Sequence, residues 1–165
     1  MSHDVQLLKA TTEDIPEIAA LAEKIWMVHY PPIIGMQQVN YMLSKMYSPE
    51  ALNEQMEKGQ VFYFIRYSGK NIGYFGVSNE QADELFIHKF YIDSTEQGKG
   101  IGMKAFQAII SLYSACSSAR LTVNRHNYKS INFYFKAGFV ISEVKDFDIG
   151  NGYQMNDFIM LWKRK

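Results

Sequence analysis

Hydrophobic positions along the chain fall into two periods. Over residues 12–28 the apolar side chains Ile15, Ile18, Ala19, Leu21, Ala22, Ile25 and Trp26 recur three or four apart, which predicts an amphipathic helix. Thr12 stands where it can cap that helix, with Glu13 and Asp14 in the first turn and Pro16 early enough to be tolerated. The adjacent prolines of HYPPIIG forbid its continuation. A second helical pattern at 36–47 carries Val39, Met42, Leu43 and Met46 on one side, and a third helix begins at Pro49 behind a Ser48 cap and ends near Gly59. Between and beyond these lie runs of aromatic and β-branched residues bounded by turn residues, the mark of strands. They are DVQLLK (4–9), VFYFIRY (61–67), NIGYFGVS (71–78), LFIHKFYI (85–92), ARLTVN (119–124), a strand after the helical run INFYF that Asn127 can cap, and a last strand at about 153–163. Ser68-Gly69-Lys70 joins two of them into a hairpin. Helices interleaved with strands in this order predict a mixed sheet covered by helices on both faces.

One stretch carries more than fold. After the strand at 85–92, Gly98, Gly100 and Gly102 feed a helix whose apolar face is Met103, Phe106, Ile109, Ile110 and Tyr113. Glycines let the main chain approach a ligand without a Cβ, and the first N–H groups of a helix have no partner inside it. Phosphate oxygens can satisfy those donors, with the helix dipole and the Lys99 ammonium adding attraction. A plain strand-to-helix turn is the other reading. Met103 stands where a dinucleotide fingerprint needs glycine, and GxxxxGK[ST] occurs nowhere.

Composition narrows the classes. At 165 residues, 47% of them apolar and 15% aromatic, one domain over 1–165 with an ample core is the expectation. Basic and acidic residues balance at 17 each, so no overall field draws nucleic acid or an anionic membrane. The lone Cys116 permits no internal disulfide and, as a small core residue, fits a reducing cytoplasm. No apolar run reaches membrane-spanning length, MSHDVQ does not read as a signal peptide, and no metal-ligand cluster stands out.

The spacing Gln97-x-x-Gly100-x-Gly102 resembles the pyrophosphate loop of the GNAT superfamily of acyl-CoA-dependent N-acyltransferases. Downstream, Asn127, Ser130, Ile131, Tyr134, Gly138 and Phe139 resemble that family's N-x-x-A/S-I-x-x-Y-x-x-x-G-F segment, in the right order and separation. The resemblance implies an α/β fold of the α+β kind. Its central sheet is mixed, mostly antiparallel and of about six to seven strands, and the strands at 85–92 and 119–124 splay into a V that holds acetyl-CoA. It implies cofactor contacts from the main chain of Phe90, Tyr91 and Ile92, from Gln97, Gly98, Lys99, Gly100, Ile101, Gly102 and Met103, and from Asn127, Ser130 and Tyr134. A strand edge can pair with the amides of pantetheine, and a backbone N–H there can serve as an oxyanion hole. Tyr134 is the expected proton donor to the departing thiolate.

Attack also needs a neutral amine, and an alkyl amine with a pKa near 10.4 is almost wholly protonated at neutral pH. Many relatives place a glutamate in the strand at a position matching Phe86 or His88, from which this chain departs. His88, Glu84 or a water chain without a dedicated base are the three routes left open. The ends of the chain resemble a bacterial subgroup that includes spermine/spermidine acetyltransferases. A polyamine would need carboxylates along a groove, and Asp83, Glu84, Asp148 and Asp157 are available, with Trp26, His29 and Tyr30 able to wall an amine pocket. A protein N-terminus or lysine as acceptor, or acyl-CoA binding without catalysis, are the alternative functions. The aromatic-rich C-terminal strand makes a homodimer plausible.

Overall fold

In a computed structural model of the chain, residues 4–81 and 83–165 are described. Along the chain run β1 (Gln6–Lys9), a 3-10 turn (Thr12–Asp14), α1 (Ile15–His29), α2 (Pro31–Ile34), α3 (Met36–Tyr47), α4 (Pro49–Glu57), β2 (Val61–Tyr67), β3 (Lys70–Ser78) and β4 (Glu84–Ile92). After a 3-10 turn at Ser94–Glu96 come α5 (Ile101–Leu112), β5 (Ser118–Asn124), α6 (Tyr128–Ala137), β6 (Val140–Gly150) and β7 (Tyr153–Lys163). Among the described residues seven strands form one sheet in the order β1-β2-β3-β4-β5-β7-β6. Neighbours are antiparallel except β4 and β5. No described helix is long and apolar enough to cross a membrane.

Both faces of the sheet are covered, which is why β2 and β3 are apolar without alternation. Tyr63, Ile65, Phe75 and Val77 pack under α5 and α6, whereas Phe62, Phe64 and Tyr74 pack under α1, α3 and α4. The hairpin at Ser68 and Gly69 forms as the turn residues predict.

Three local expectations shift. Thr11, not Thr12, caps the first helical turn: its hydroxyl accepts from Glu13 N, and its own N–H donates to Asp14 at 2.8 Å. The α-helix proper then starts at Ile15. The prolines do end α1, but Pro31 opens the four-residue α2, because a missing N–H costs nothing in a first turn. The buried line of α5 is Ile101, Ala105 and Ile109 with Phe106, while Met103, Ile110 and Tyr113 are only partly buried. The helix begins two residues earlier than its apolar run, so the four-residue line from Ile101 faces the sheet.

Two irregularities break the sheet at its centre. β4 and β5 pair only over Glu84–Ile87 against Ser118–Leu121. Beyond that point β4 continues along β3 to Ile92, while β5 stays with β7. The strands part, and among the described residues no strand lies beside the β5-facing edge of β4 from His88 onward. The β3–β4 register also skips a residue, since Gly76 faces Lys89 and Val77 faces Ile87, so His88 is the extra residue of a bulge. Leu85 and Ile87 lie in the α5–α6 core before it, and Phe90 and Ile92 pack against that core after it. The bulge exchanges the faces of odd and even positions.

Candidate active site

Two hollows open where β4 and β5 part. The outer one, about 550 Å³, runs between the glycine loop and α6; the inner, about 80 Å³, lies between the parted strands, the end of α1, and α2 and α3. Phe90, Ser130 and Tyr134 line both, so the hollows meet at these three side chains.

The outer groove is walled on one side by residues of the loop and first turn of α5. Gly98 and Gly100 hold φ of +86° and +73°, a region that favours glycine, and a Cβ on either would meet nothing within 4 Å. Gly102 has another reason to lack a side chain: its Cβ would stand 3.1 Å from Cε2 of Phe133 on α6. The first amides of α5 open into this space without helical partners. Lys129, Asn132, Phe133 and Lys136 form the facing wall. Their spacing of three, four and seven puts them on one stripe of α6, a periodicity present in the sequence that no local motif ties to a ligand. Lys129 donates to the side-chain oxygen of Gln97, whose amide nitrogen donates to Ile92 O at 3.3 Å. Lys99, expected to attract anions, is instead paired with Glu96 at 2.9 Å and does not line the groove. His29, expected beside the acceptor, lines this outer groove.

The inner cavity has aromatic walls. Trp26 and Tyr30 bring ring centroids to 4.4 Å, and both approach Tyr91. Their polar atoms are tied inward or to each other: Trp26 Nε1 donates to Tyr74 OH at 3.2 Å, and the Tyr30 and Tyr91 hydroxyls are 2.9 Å apart. Burial pushes the Tyr30 phenol up to about 12, and that of Tyr91 well above its ordinary value, so the walls stay uncharged. Ile34, Met42, Met46 and Met155 complete an apolar lining that the strand and loop motifs do not reveal. Helix α3 also pins the β6–β7 hairpin over the cavity, with Tyr41 OH donating to Ile149 O at 2.5 Å and Gln38 Nε2 to Gln154 O at 2.9 Å.

The chemically active groups sort clearly. Tyr134 is 8% exposed, and burial, with the neighbouring Tyr30, raises its pKa, so the phenol keeps its proton at neutral pH. Asn127 caps α6, its side-chain oxygen accepting from Ser130 N at 3.4 Å. His88 lines the inner cavity with Nε2 2.7 Å from Ser78 Oγ. The residue as a whole is exposed, yet its ring is flanked by cavity walls; desolvation there, then the Lys89 charge, push it down to about 4. Asp157 lines the same cavity and is 2% exposed. Burial raises its carboxyl to about 6, with Asp146 adding and Thr122 and Arg125 opposing.

Three of the expected carboxylates stand elsewhere. Glu84 is held by Arg120 at 3.0 Å on the paired stretch of β4 and β5. Asp148 is exposed and accepts from Gly150 N at 2.8 Å, and Asp83 is exposed at the start of β4. None of the three lines either hollow, so the row of carboxylates expected for a polyamine is not assembled. No group of three His, Cys, Asp or Glu suited to a metal occurs among the described residues.

Comparison with known proteins places this geometry. A family model described as an acetyltransferase (GNAT) domain matches residues 32–155. Among solved structures, the PaiA N-acetyltransferase of Thermoplasma acidophilum in complex with coenzyme A is similar at 23% identity and a TM-score of 0.79, covering 99% of both chains. A GCN5-related N-acetyltransferase from Rhodopseudomonas palustris is similar at 16% identity and TM-score 0.80, over 99% of this chain and 98% of the other. A GNAT family acetyltransferase from Elizabethkingia anophelis with acetyl-CoA bound is similar at 14% and 0.66, over 98% and 99%. A search of curated proteins finds no match.

Proposed function

Because the chain belongs to the GNAT acetyltransferase family, we propose that it moves an acetyl group from acetyl-CoA to the primary amine of a small molecule, both substrates meeting in one ternary complex. One observation carries the reading: the hollows meet at Phe90, Ser130 and Tyr134, so a donor in one and an acceptor in the other reach each other without a covalent enzyme intermediate.

The outer groove fits an acyl-CoA in size and charge. Its volume falls in the range of about 300–1,000 Å³ usual for ligand clefts. The α5 amides and the glycines suit a diphosphate, and Lys129 and Lys136 add positive charge from the opposite wall. The bare edge of β4 at Phe90–Ile92 offers main-chain groups to an amide-bearing arm. When bound, acetyl-CoA supplies an activated thioester and a thiol leaving group. Tyr134, protonated at the junction, serves as the proton or hydrogen-bond donor for that sulphur.

A small acceptor is favoured over a peptide because the inner cavity is small, largely apolar, and roofed by α3 and the β6–β7 hairpin. Free-thiol release from acetyl-CoA with small amines, a polyamine, and peptides bearing a free N-terminus or lysine tests the reading. Turnover with small amines supports it. Turnover confined to peptides overturns it in favour of a protein acetyltransferase, and coenzyme A binding without thiol release from any acceptor reduces the protein to a binding module.

A further inference from the structure

We infer that the carboxylate of Asp157 holds the acceptor's ammonium in the inner cavity and takes a proton from it, and that the preferred acceptor is a primary amine with one cationic head on an apolar stem. The inference rests on the acetyl-transfer reading above and names the substrate class and base of that site.

The first ground is a buried carboxylate with no ion-pair partner, helped only by a Thr122 hydrogen bond and the more distant Arg125 charge. Asp157 is 2% exposed and lines the cavity, yet the ion pairs among the described residues all lie elsewhere. The Arg125 guanidinium is committed to Asp146 at 3.0 Å and donates to the main-chain oxygen of Asp157 at 3.2 Å, so its charge acts on the carboxylate only from a distance. Burying a carboxylate without an opposite charge in contact costs several kcal/mol, of which one hydroxyl hydrogen bond offsets a part. A ligand cation is the partner this site lacks, and the faces of Trp26, Tyr30 and Tyr91 beside it suit the same charge.

The second ground is elimination among bases. His88 is tied to Ser78 at 2.7 Å, and Glu84 is neutralised by Arg120 at 3.0 Å outside the cavity. Burial leaves Asp157 more basic than the cavity's histidine, His88 lying near 4 and Asp157 near 6. At neutral pH it is ionised and ready to accept. The groups facing it are Tyr30 between α1 and α2, Thr122 and Asn124 from β5, Arg125 beyond β5, and Lys145 and Asp146 from β6, with His88 of β4 and Tyr134 of α6 lining the same cavity.

The third ground is position. In the β5–β7 register Asp157 stands opposite Asn124, where β5 has left β4 and the wedge is open. A single carboxylate among methionines and aromatic rings matches one ammonium on an apolar stem; a polyamine would bury further charges with no partners. In the step itself one N–H bond of the ammonium breaks, one O–H bond forms on Asp157, and the lone pair stays on nitrogen, now nucleophilic. Asp157 later releases the proton to solvent. Overall, ammonium and thioester give amide, thiol and one proton.

The test compares wild type, Asp157→Asn and His88→Ala with hexylamine and 1,6-diaminohexane as acceptors. For Asp157→Asn with hexylamine at pH 7 the expected loss in kcat/KM is about 100-fold, narrowing as pH rises and free amine accumulates, with the coenzyme A dissociation constant unchanged. His88→Ala should lose less than about tenfold, and hexylamine should outperform the diamine. Three results each overturn the proposal: Asp157→Asn within about threefold of wild type, His88→Ala the worse variant, or the diamine preferred. If wild type releases thiol with no amine, the acetyl-transfer reading itself fails and takes this one with it. Should Asp157→Asn not fold, calorimetry on wild type decides. Hexylamine should bind and hexanol should not, with affinity falling as pH drops from about 7 to 5; equal binding of the alcohol refutes the role of Asp157.

Discussion

Gly102 on α5 and Phe133 on α6 touch so closely that a Cβ on the glycine would lie 3.1 Å from the ring. Two helices from opposite banks of the outer groove are thereby held at a separation that one methyl would change. Gly102→Val should therefore push them apart, destabilising the protein by about 1–3 kcal/mol and weakening coenzyme A binding. Thermal unfolding and calorimetry measure the two effects; unchanged values for both would mean that Phe133 swings aside freely.

Tyr134 should separate chemistry from packing. Its ring packs against Phe133 and Phe139 at centroid distances of 5.5 and 5.4 Å, contacts that Tyr134→Phe preserves. The expected outcome is a fall of about 100-fold in kcat with coenzyme A affinity and melting temperature unaltered. Steady-state thiol release with the melting curve checks this, and a variant of near-normal kcat would remove Tyr134 from the chemistry.

The cations of the groove should differ by their partners. Lys129→Ala with Lys136→Ala should weaken coenzyme A binding by about tenfold at low salt, and less at high salt where exposed charges are screened. Lys99→Ala should change it little, because that ammonium is not part of the groove wall and is neutralised by Glu96, an acidic residue of the rim. Titrations at two ionic strengths discriminate, and an equal loss in all three would return Lys99 to the site.

Asp157 should cost stability where it serves function. Its folded pKa, near 6, lies above the unfolded carboxyl value of about 3.9. The folded state therefore binds the extra proton between those values, and wild type loses stability as pH rises through 6. Asp157→Asn should be more stable than wild type at pH 7 by about 1–2 kcal/mol, the gap closing by about pH 4. Denaturant melts at the two pH values measure it. A variant less stable at pH 7 would mean that the ionised carboxylate has a cationic partner in the free protein beyond its Thr122 hydrogen bond.

The order of elements, the Ser48 cap, the hairpin at Ser68 and Gly69 and the loop from Gln97 to Gly102 were legible in the chain, since each depends on residues near one another in sequence. The same holds for Asn127 and Tyr134, seven positions apart on the α6 segment. What no local pattern could supply was which side chains face the wedge. The bulge at His88 exchanges the two faces of β4, and it exists only in the pairing of β4 with β3. Of the four acidic candidates, Asp157 alone reaches the cavity, because β7 lies between β5 and β6 and carries that position to the point where β5 parts from β4. Composition and spacing name the groups available for chemistry. Long-range strand register decides which of them stand together, because a shift of one residue turns a side chain from the cavity to the opposite face.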